Sequence, residues 1–342
     1  MKTHFCFFFV LFVIALTACR PSHEDTYTPT PYELPQPLFF PTKNNIPADN
    51  PMTEEGVALG ELLFNSECGM RNAELTSGGK FRIPNSEFRI TSCASCHHKE
   101  YSYEFGPEGT LEMLGTQHTM LPLINLAWNT TGFGWKANVP TLEDMVYAAY
   151  TDPSEINADT SEVVRRLQQS ATYPELFKKA FGTDEISFIL VEKAIAQYVR
   201  SLVFADSKFD RYLRGEEQLN QDELNGYLLF TTETGADCFH CHGGGSNALF
   251  TTHQSYNNGL DTENHGEFKA PTLRNITLTA PYMHDGRFRT LDEVIDFYSE
   301  GVQYSEQISP LMHHVMQGGV QLTPEEKKQL KAFLNTLTDD LP

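Results

Sequence analysis

Two short stretches hold the residues whose types and spacing could do chemistry. TSCASCHHKE, residues 91–100, sets Cys93, Cys96 and His97 in a Cys-x-x-Cys-His pattern. ADCFHCHGGG, residues 236–245, repeats it with Cys238, Cys241 and His242. Three chemistries use thiols spaced this way. Structural zinc would need the two pairs to converge, but they lie about 145 residues apart, and zinc-ribbon knuckles sit closer. A redox dithiol would want a βαβ setting, and neither motif has one. Covalent c-type haem uses the whole pattern: two thiols reach the two vinyl groups, and the next histidine becomes the proximal iron ligand. With this chain's Cys and His frequencies, one chance copy is expected at roughly 0.005 per chain. The motifs therefore point to two covalent haems c. His98 and His240, beside the motifs, read as surface residues.

A second haem of this kind needs a sixth ligand. Met283, in PYMHDG, offers a soft thioether that would raise the potential, and Tyr298, in IDFYSE, offers a hard oxygen that would stabilise ferric and higher iron. On chemistry alone both stay open.

The elements that must position these residues read as helices. TLEDMVYAAY (141–150) has an acidic first turn and apolar residues at helical spacing. TSEVVRRLQQS (160–170) opens on a capping-type residue. SFILVEKAIAQYVRSLVF (187–204) is the longest amphipathic run, with Ile189, Leu190, Ala194, Tyr198 and Leu202 expected on its buried face. QDELNGYLLFTT (221–232), TLDEVIDFY (290–298) and TPEEKKQLKAFLNTL (323–337) follow. The last has Pro in its first turn and acids before lysines. No strand pattern stands out. VALGELLF (57–64) and LNGYLLF (224–230) look like equivalent helices before each motif, so the halves form a weak repeat. The fold expected is all-α: two cytochrome c-like domains, each built around a covalent haem. The boundary is set at the charged SKFDRYLRGEE (207–217), giving a haem domain over 46–206 and another over 207–342.

The 342 residues allow two ordinary domains, and 40% hydrophobic with 20% charged residues describes a globular chain. The formal net charge of −20 argues against nucleic acid and would favour encounter with a basic protein. The start, MKTHFCFFFVLFVIALTAC, has a positive n-region and an apolar run from Phe5 to Leu16, short for a membrane span. LTAC resembles a lipoprotein cleavage box, which implies a signal over 1–19 and a lipid anchor at Cys19. A Pro- and Thr-rich tether over 20–45 would follow. This predicts an exported chain of the periplasm or cell envelope, touching membrane only through that anchor. Cys6 goes with the signal, and Cys68 is left as a thiol with no assigned function.

Taken with the motifs, the segments LGELLF, LINLAWN, PSEI, FKAPTLRNITLTAPYMHDGRF and TLDEVIDFY resemble one family over about residues 55–338. It is that of the bacterial di-haem cytochrome c peroxidases and their MauG branch, enzymes that oxidise tryptophans on another protein. The resemblance implies that the N-terminal haem meets hydrogen peroxide and the C-terminal haem takes in electrons. The family's proton-moving glutamate falls on Glu155, counting from Trp135 and Leu142, although Ala149 stands where the peroxidases often carry proline. Trp135 matches the tryptophan between the haems. Tyr298 falls at the sixth-ligand position, fourteen residues after His284, as in the MauG branch, with Met283 as the alternative. The removable distal histidine of many members would fall near Leu111, where there is none. His118 is the nearest histidine and reads as structural, so the first haem is expected to be permanently open. Calcium between the domains would use carbonyls near Thr279 and Pro281, though Thr119 replaces the family's asparagine. Arg274 is a candidate partner for a haem propionate.

Three functions then compete. One is a peroxidase reducing hydrogen peroxide with electrons from a small cytochrome c or cupredoxin. A MauG-like oxidase of a partner protein and a non-catalytic di-haem carrier are the others. Family members are often dimers, so a homodimer is compatible.

Overall fold

The computed structural model describes residues 27–66, 92–107, 118–153, 155–244, 246–261 and 267–339, with the backbone alone at 74–75, 81–82, 111–113 and 116–117. The signal, Cys6, Cys19, Cys68 and the Leu111 side chain lie outside the described residues. Among the described residues no helix is long and apolar enough to cross a membrane.

The chain is mostly helical, and its helices start where capping chemistry allows. α1 (Glu54–Asn65) begins after Thr53, whose hydroxyl accepts the Gly56 N–H at 3.0 Å. α2 (Leu142–Thr151) is capped by Thr141 and α3 (Thr160–Gln169) by Asp159. α4 (Tyr173–Phe181), not anticipated from the sequence, has proline in its first turn and stops at Gly182 in the left-handed region. α5 (Phe188–Ser201) ends the first half. The second half holds α6 (Lys208–Leu213), α7 (Gln221–Phe230), α8 (Phe239–His242), α9 (Leu291–Asp296) and α10 (Pro324–Asn335). Asn220 caps α7, and Thr323 caps α10, each with a glutamate reaching back as a capping box.

Two hydrophobic cores result. The first gathers α1 to α5 around Leu59, Leu63, Val163, Phe177, Val191 and Ile195, and its last buried residue is Leu202. The second gathers α7, α9 and α10 around Phe230, Phe250, Ile295 and Phe333, and resumes the later chain at Phe209. The pre-motif helices are built alike. A Cβ at Gly60 would lie 2.0 Å from the Ala194 carbonyl oxygen, and one at Gly226 would lie 1.9 Å from the Gln329 carbonyl oxygen. Each glycine therefore lets its helix press against the longest helix of its half, α5 or α10. The shared G-x-L-L-F of residues 60–64 and 226–230 is this contact written twice.

Four expectations need correction. Residues 27–45 are not a free tether. The Tyr27 hydroxyl donates to the Ala180 carbonyl, Thr30 bonds Glu55, and Phe40 is buried in the second core against Trp128, ring centroids 4.9 Å apart. Ala127 and Trp128 also belong to that second core, although the chain division assigns them to the first half. Ile189 stays 60% exposed, while polar Gln197 and Arg200 of α5 are buried. They are buried because their partners are there: Gln197 meets Asn50 and the Thr53 N–H, and Arg200 forks onto Glu143 at 2.8 and 2.9 Å. Finally, three two-stranded antiparallel ladders do form: β1 (Glu74–Leu75) with β2 (Phe81–Arg82), β3 (Leu111–Met113) with β4 (Thr116–His118), and β5 (Ser255–Tyr256) with β6 (Phe268–Lys269). Strands of two or three residues are too short to carry an alternating pattern.

Candidate haem sites and the wall between them

The first motif opens on a tight turn, Cys93–Ser95, that brings Cys93 and His97 to one cavity. His97 Nδ1 lies 2.6 Å from the Tyr103 carbonyl oxygen. An N–H donated there leaves Nε2 as the free lone pair, the tautomer a metal needs. Burial pulls the imidazole down to about 4, so it is neutral. Burial also pushes the Cys93 thiol up to about 12 and the Cys96 thiol to about 11, and the two are not joined as a disulfide.

The second motif repeats the arrangement on α8. His242 Nδ1 lies 3.1 Å from the Pro271 carbonyl oxygen, and burial pulls this ring to about 4 as well. Cys238 and Cys241 are separate thiols lining a second cavity, with Cys241 pushed up to about 12 by burial. Each cavity holds about 1670 Å³ of empty space, mouths included. A close-packed interior leaves few voids larger than a water. Two thiols at fixed spacing, a histidine with one nitrogen free, largely apolar walls and this space fit one covalently attached haem in each cavity.

Glu155 reaches the first cavity, on the same wall set as His97 and Cys93. It sits in the turn that ends α2, where its N–H donates to the Asp152 carbonyl at 3.1 Å. Burial, and then the Asp152 charge, raise its carboxyl to about 7. His118 and His253 also line this cavity, each with a buried ring nitrogen that has no partner.

In the second cavity the two ligand candidates come together. Tyr298 lies in a π-turn, Phe297–Gly301, that continues α9, a distortion common at functional sites. Asn258 Nδ2 donates to the Tyr298 hydroxyl oxygen at 3.0 Å and lies 3.9 Å from Met283 Sδ. Burial pushes the phenol up, while the Asn258 bond pulls against it. Asn258 carried no sequence signal of its own.

One wall is common to both cavities: residues 119–122, Trp135, Lys269, Pro271 and Thr272. Trp135 Nε1 donates to the Thr119 carbonyl at 2.7 Å, and the Lys269 N–H to the Trp135 carbonyl at 2.8 Å. Thr119 also bonds outward, its hydroxyl to the Met283 carbonyl at 2.8 Å and its N–H to the His284 carbonyl at 2.9 Å. At the turn expected to serve calcium, Thr279 and Pro281 line the second cavity.

Arg274 is not on either cavity wall. It is fully buried, and its guanidinium grips Asp210 through both terminal nitrogens, so its charge is already answered inside the second core. Lys269 is the buried cation that faces both cavities. It is 5% exposed, and burial pulls it down to about 8. Glu104, also missed, is 4% exposed on the second cavity wall, raised to about 9 by burial, with one carboxyl oxygen unpaired. His98 is half-buried beside the motif, its Nε2 3.0 Å from the Ser95 carbonyl oxygen.

A mostly helical body with two such cavities defines a haem-binding redox protein. The family described as di-haem cytochrome c peroxidase matches residues 82–218. The chain is 32% identical over 310 residues to methylamine utilization protein MauG of Methylorubrum extorquens, covering 85% of this chain and 80% of that one. It is 32% identical over 298 residues to cytochrome c551 peroxidase of Nitrosomonas europaea, covering 79% and 82%. Among solved structures, a MauG-like protein associated with microbial copper homeostasis matches with a TM-score of 0.74 at 32% identity, over 90% of this chain and 96% of that one. The chain belongs to the di-haem cytochrome c peroxidase/MauG family and is an oxidoreductase of the peroxidase class.

Proposed function

We propose that this chain carries two covalent haems c, one in each of two domains. In this reading it reduces hydrogen peroxide to water, with electrons from a small redox protein such as a cytochrome c or cupredoxin. Cys93, Cys96 and His97 would hold one haem, and Cys238, Cys241 and His242 the other, with Tyr298, on the wall of the same cavity as His242, as the candidate further iron ligand. When bound, these groups supply an iron that can take up peroxide and a second that relays electrons.

The observation that carries the reading is Glu155. Cleaving H₂O₂ with two electrons and two protons yields two waters, and one proton must cross from the near oxygen to the far one. A carboxyl that titrates near neutrality can accept it and hand it on. Leu142, Val146, Ile195 and Val199 line the same cavity with apolar side chains. Trp135, pinned by Thr119, stands in the wall between the two cavities as the aromatic bridge.

Tyr298 favours a second reading, a MauG-like oxidase of residues on a partner protein, because a hard oxygen ligand suits higher oxidation states. Export and a lipid anchor at Cys19 complete the proposal. The test is peroxide-dependent oxidation of a reduced small cytochrome c. Glu155→Gln should lower turnover by about 10²–10⁴-fold with haem content intact. Unchanged turnover in that variant rules out the peroxidase reading. No oxidation of the cytochrome by the wild type, with peroxide still consumed, favours the oxidase.

A further inference from the structure

The second motif carries a group of side chains that the haem reading does not use. Asp237, His240 and His313 offer ligand atoms that all lie within 4.8 Å of one another, and this is the one such cluster among the described residues. We propose that these three residues bind a divalent transition metal of the zinc or copper kind at the edge of the second cavity.

The geometry is close to what such an ion requires. Four ligands at about 2.0–2.1 Å in a tetrahedron stand roughly 3.3 Å from each other. Asp237 Oδ1 is 2.7 Å from His240 Nδ1, and Asp237 Oδ2 is 3.4 Å from His313 Nδ1. The two imidazole rings are 5.3 Å apart at 79°, so they approach from different directions rather than stacking. All three donors lie within 4.8 Å of one another, so they must draw closer to share one ion.

The charge and the surroundings point the same way. The Asp237 side chain is only 6% exposed, and its ion-pair partners among the described residues are these two histidines. A nearly buried carboxylate wants a cation. Glu233 supplies the outer support: its carboxylate lies 3.6 Å from His240 Nε2, the nitrogen turned away from Asp237. At 3.6 Å this is a charge contact and not a hydrogen bond, and it favours a proton on Nε2 once Nδ1 turns from Asp237 to a metal. Glu233 is itself tied to the facing loop, because its carbonyl accepts from His314 Nε2 at 3.0 Å. The His313 side chain is 43% exposed, so a fourth position would open to water.

A lone Asp–His pair three residues apart would be an ordinary surface hydrogen bond. The second histidine, brought from 73 positions further along the chain, and the supporting glutamate are what make a site. Two nitrogen donors exclude a calcium or magnesium preference, and copper should bind more tightly than zinc. None of the three residues is an expected iron ligand, although Asp237 and His240 flank Cys238 in the second motif and Asp237 and His313 line the same cavity as His242.

Equilibrium dialysis of the haem-loaded, chelator-stripped full chain against Zn²⁺, with metal counted by mass spectrometry, tests it. The wild type should take up one more Zn²⁺ per chain than His313→Ala, with at least tenfold weaker binding in that variant and about tenfold in Glu233→Gln. Haem absorbance of His313→Ala should match the wild type. If His313→Ala does not fold, His240→Gln provides the same comparison. Equal zinc uptake by the wild type and the variants, or none by the wild type, overturns the proposal.

Discussion

The pH dependence of the peroxide reaction follows from the place of Glu155. Its carboxyl titrates near 7 instead of 4.5, first because burial disfavours the anion and second because Asp152 repels it. That difference is roughly 3 kcal/mol of preference for the neutral form. To take a proton from peroxide the carboxyl must be ionised. It is then about half ionised at pH 7, a tenth at pH 6 and a hundredth at pH 5. The second-order rate of the diferric protein with peroxide should therefore fall about tenfold per pH unit below 7. Glu155→Gln should be slower by about 10²–10⁴-fold, or roughly 3–5 kcal/mol, and should lose the break altogether. Asp152→Asn should move the break downward by less than the full difference, because burial is the larger cause. Stopped-flow mixing from pH 5 to 8 measures all three. A wild-type profile flat above pH 5, or a Glu155→Gln profile with the same break, refutes the assignment of Glu155.

Other perturbations follow from the same structure. Tyr298→Phe removes the phenol oxygen that Asn258 addresses, so it should change the second haem's coordination in absorption and electron paramagnetic resonance spectra; identical spectra would return the ligand role to Met283. Arg274→Ala leaves Asp210 uncompensated inside the second core and should cost about 3–5 kcal/mol in denaturant unfolding, with both haems still attached. Glu104 keeps its proton to about pH 9 when folded but releases it near 4.5 when unfolded, so stability falls as pH rises between those values. At pH 7 the loss is roughly 3 kcal/mol, and Glu104→Gln should remove the slope; comparing denaturation midpoints at pH 5 and pH 8 decides it.

What could be read from the sequence was local. Cys-x-x-Cys-His declares itself because the chemistry fixes the spacing, and the runs opening at Thr141 and Thr323 start where those residues cap their helices, whereas Asp159, just before the run read from Thr160, is the cap of α3. Glu155 was legible only through its distance from Trp135 and Leu142. Where a residue's partner lies far along the chain, its type misleads. Arg274 suggested an anion in a cavity, yet its anion is Asp210, 64 residues away. Ile189 suggested a core position, yet α5 turns Gln197 and Arg200 inward because Asn50 and Glu143 wait there. Residues 27–45 look like a linker by composition, and only the groove that receives Phe40 shows otherwise. Lys269, Glu104, Asn258 and His313 gain their roles from burial or from contacts that no local pattern encodes.

The wall shared by the cavities explains why one chain should hold two such sites so close together. Trp135 cannot rotate freely, because its indole N–H is fixed on the Thr119 carbonyl and its own carbonyl on β6. Thr119 in turn spends its hydroxyl and N–H on Met283 and His284, residues of the second half. A displacement of the Met283–His284 turn, on the second cavity, is therefore felt at Trp135, in the shared wall, through two hydrogen bonds and one residue. Lys269 adds a buried amine to the same wall, its Nζ donating to the Gly132 carbonyl. Each such bond is worth only about 1 kcal/mol, but leaving its buried partner unmet costs more, so the wall moves as a piece or not at all. That fixes Trp135 in the shared wall, and Thr119 is the residue that ties it to the Met283–His284 turn of the second half.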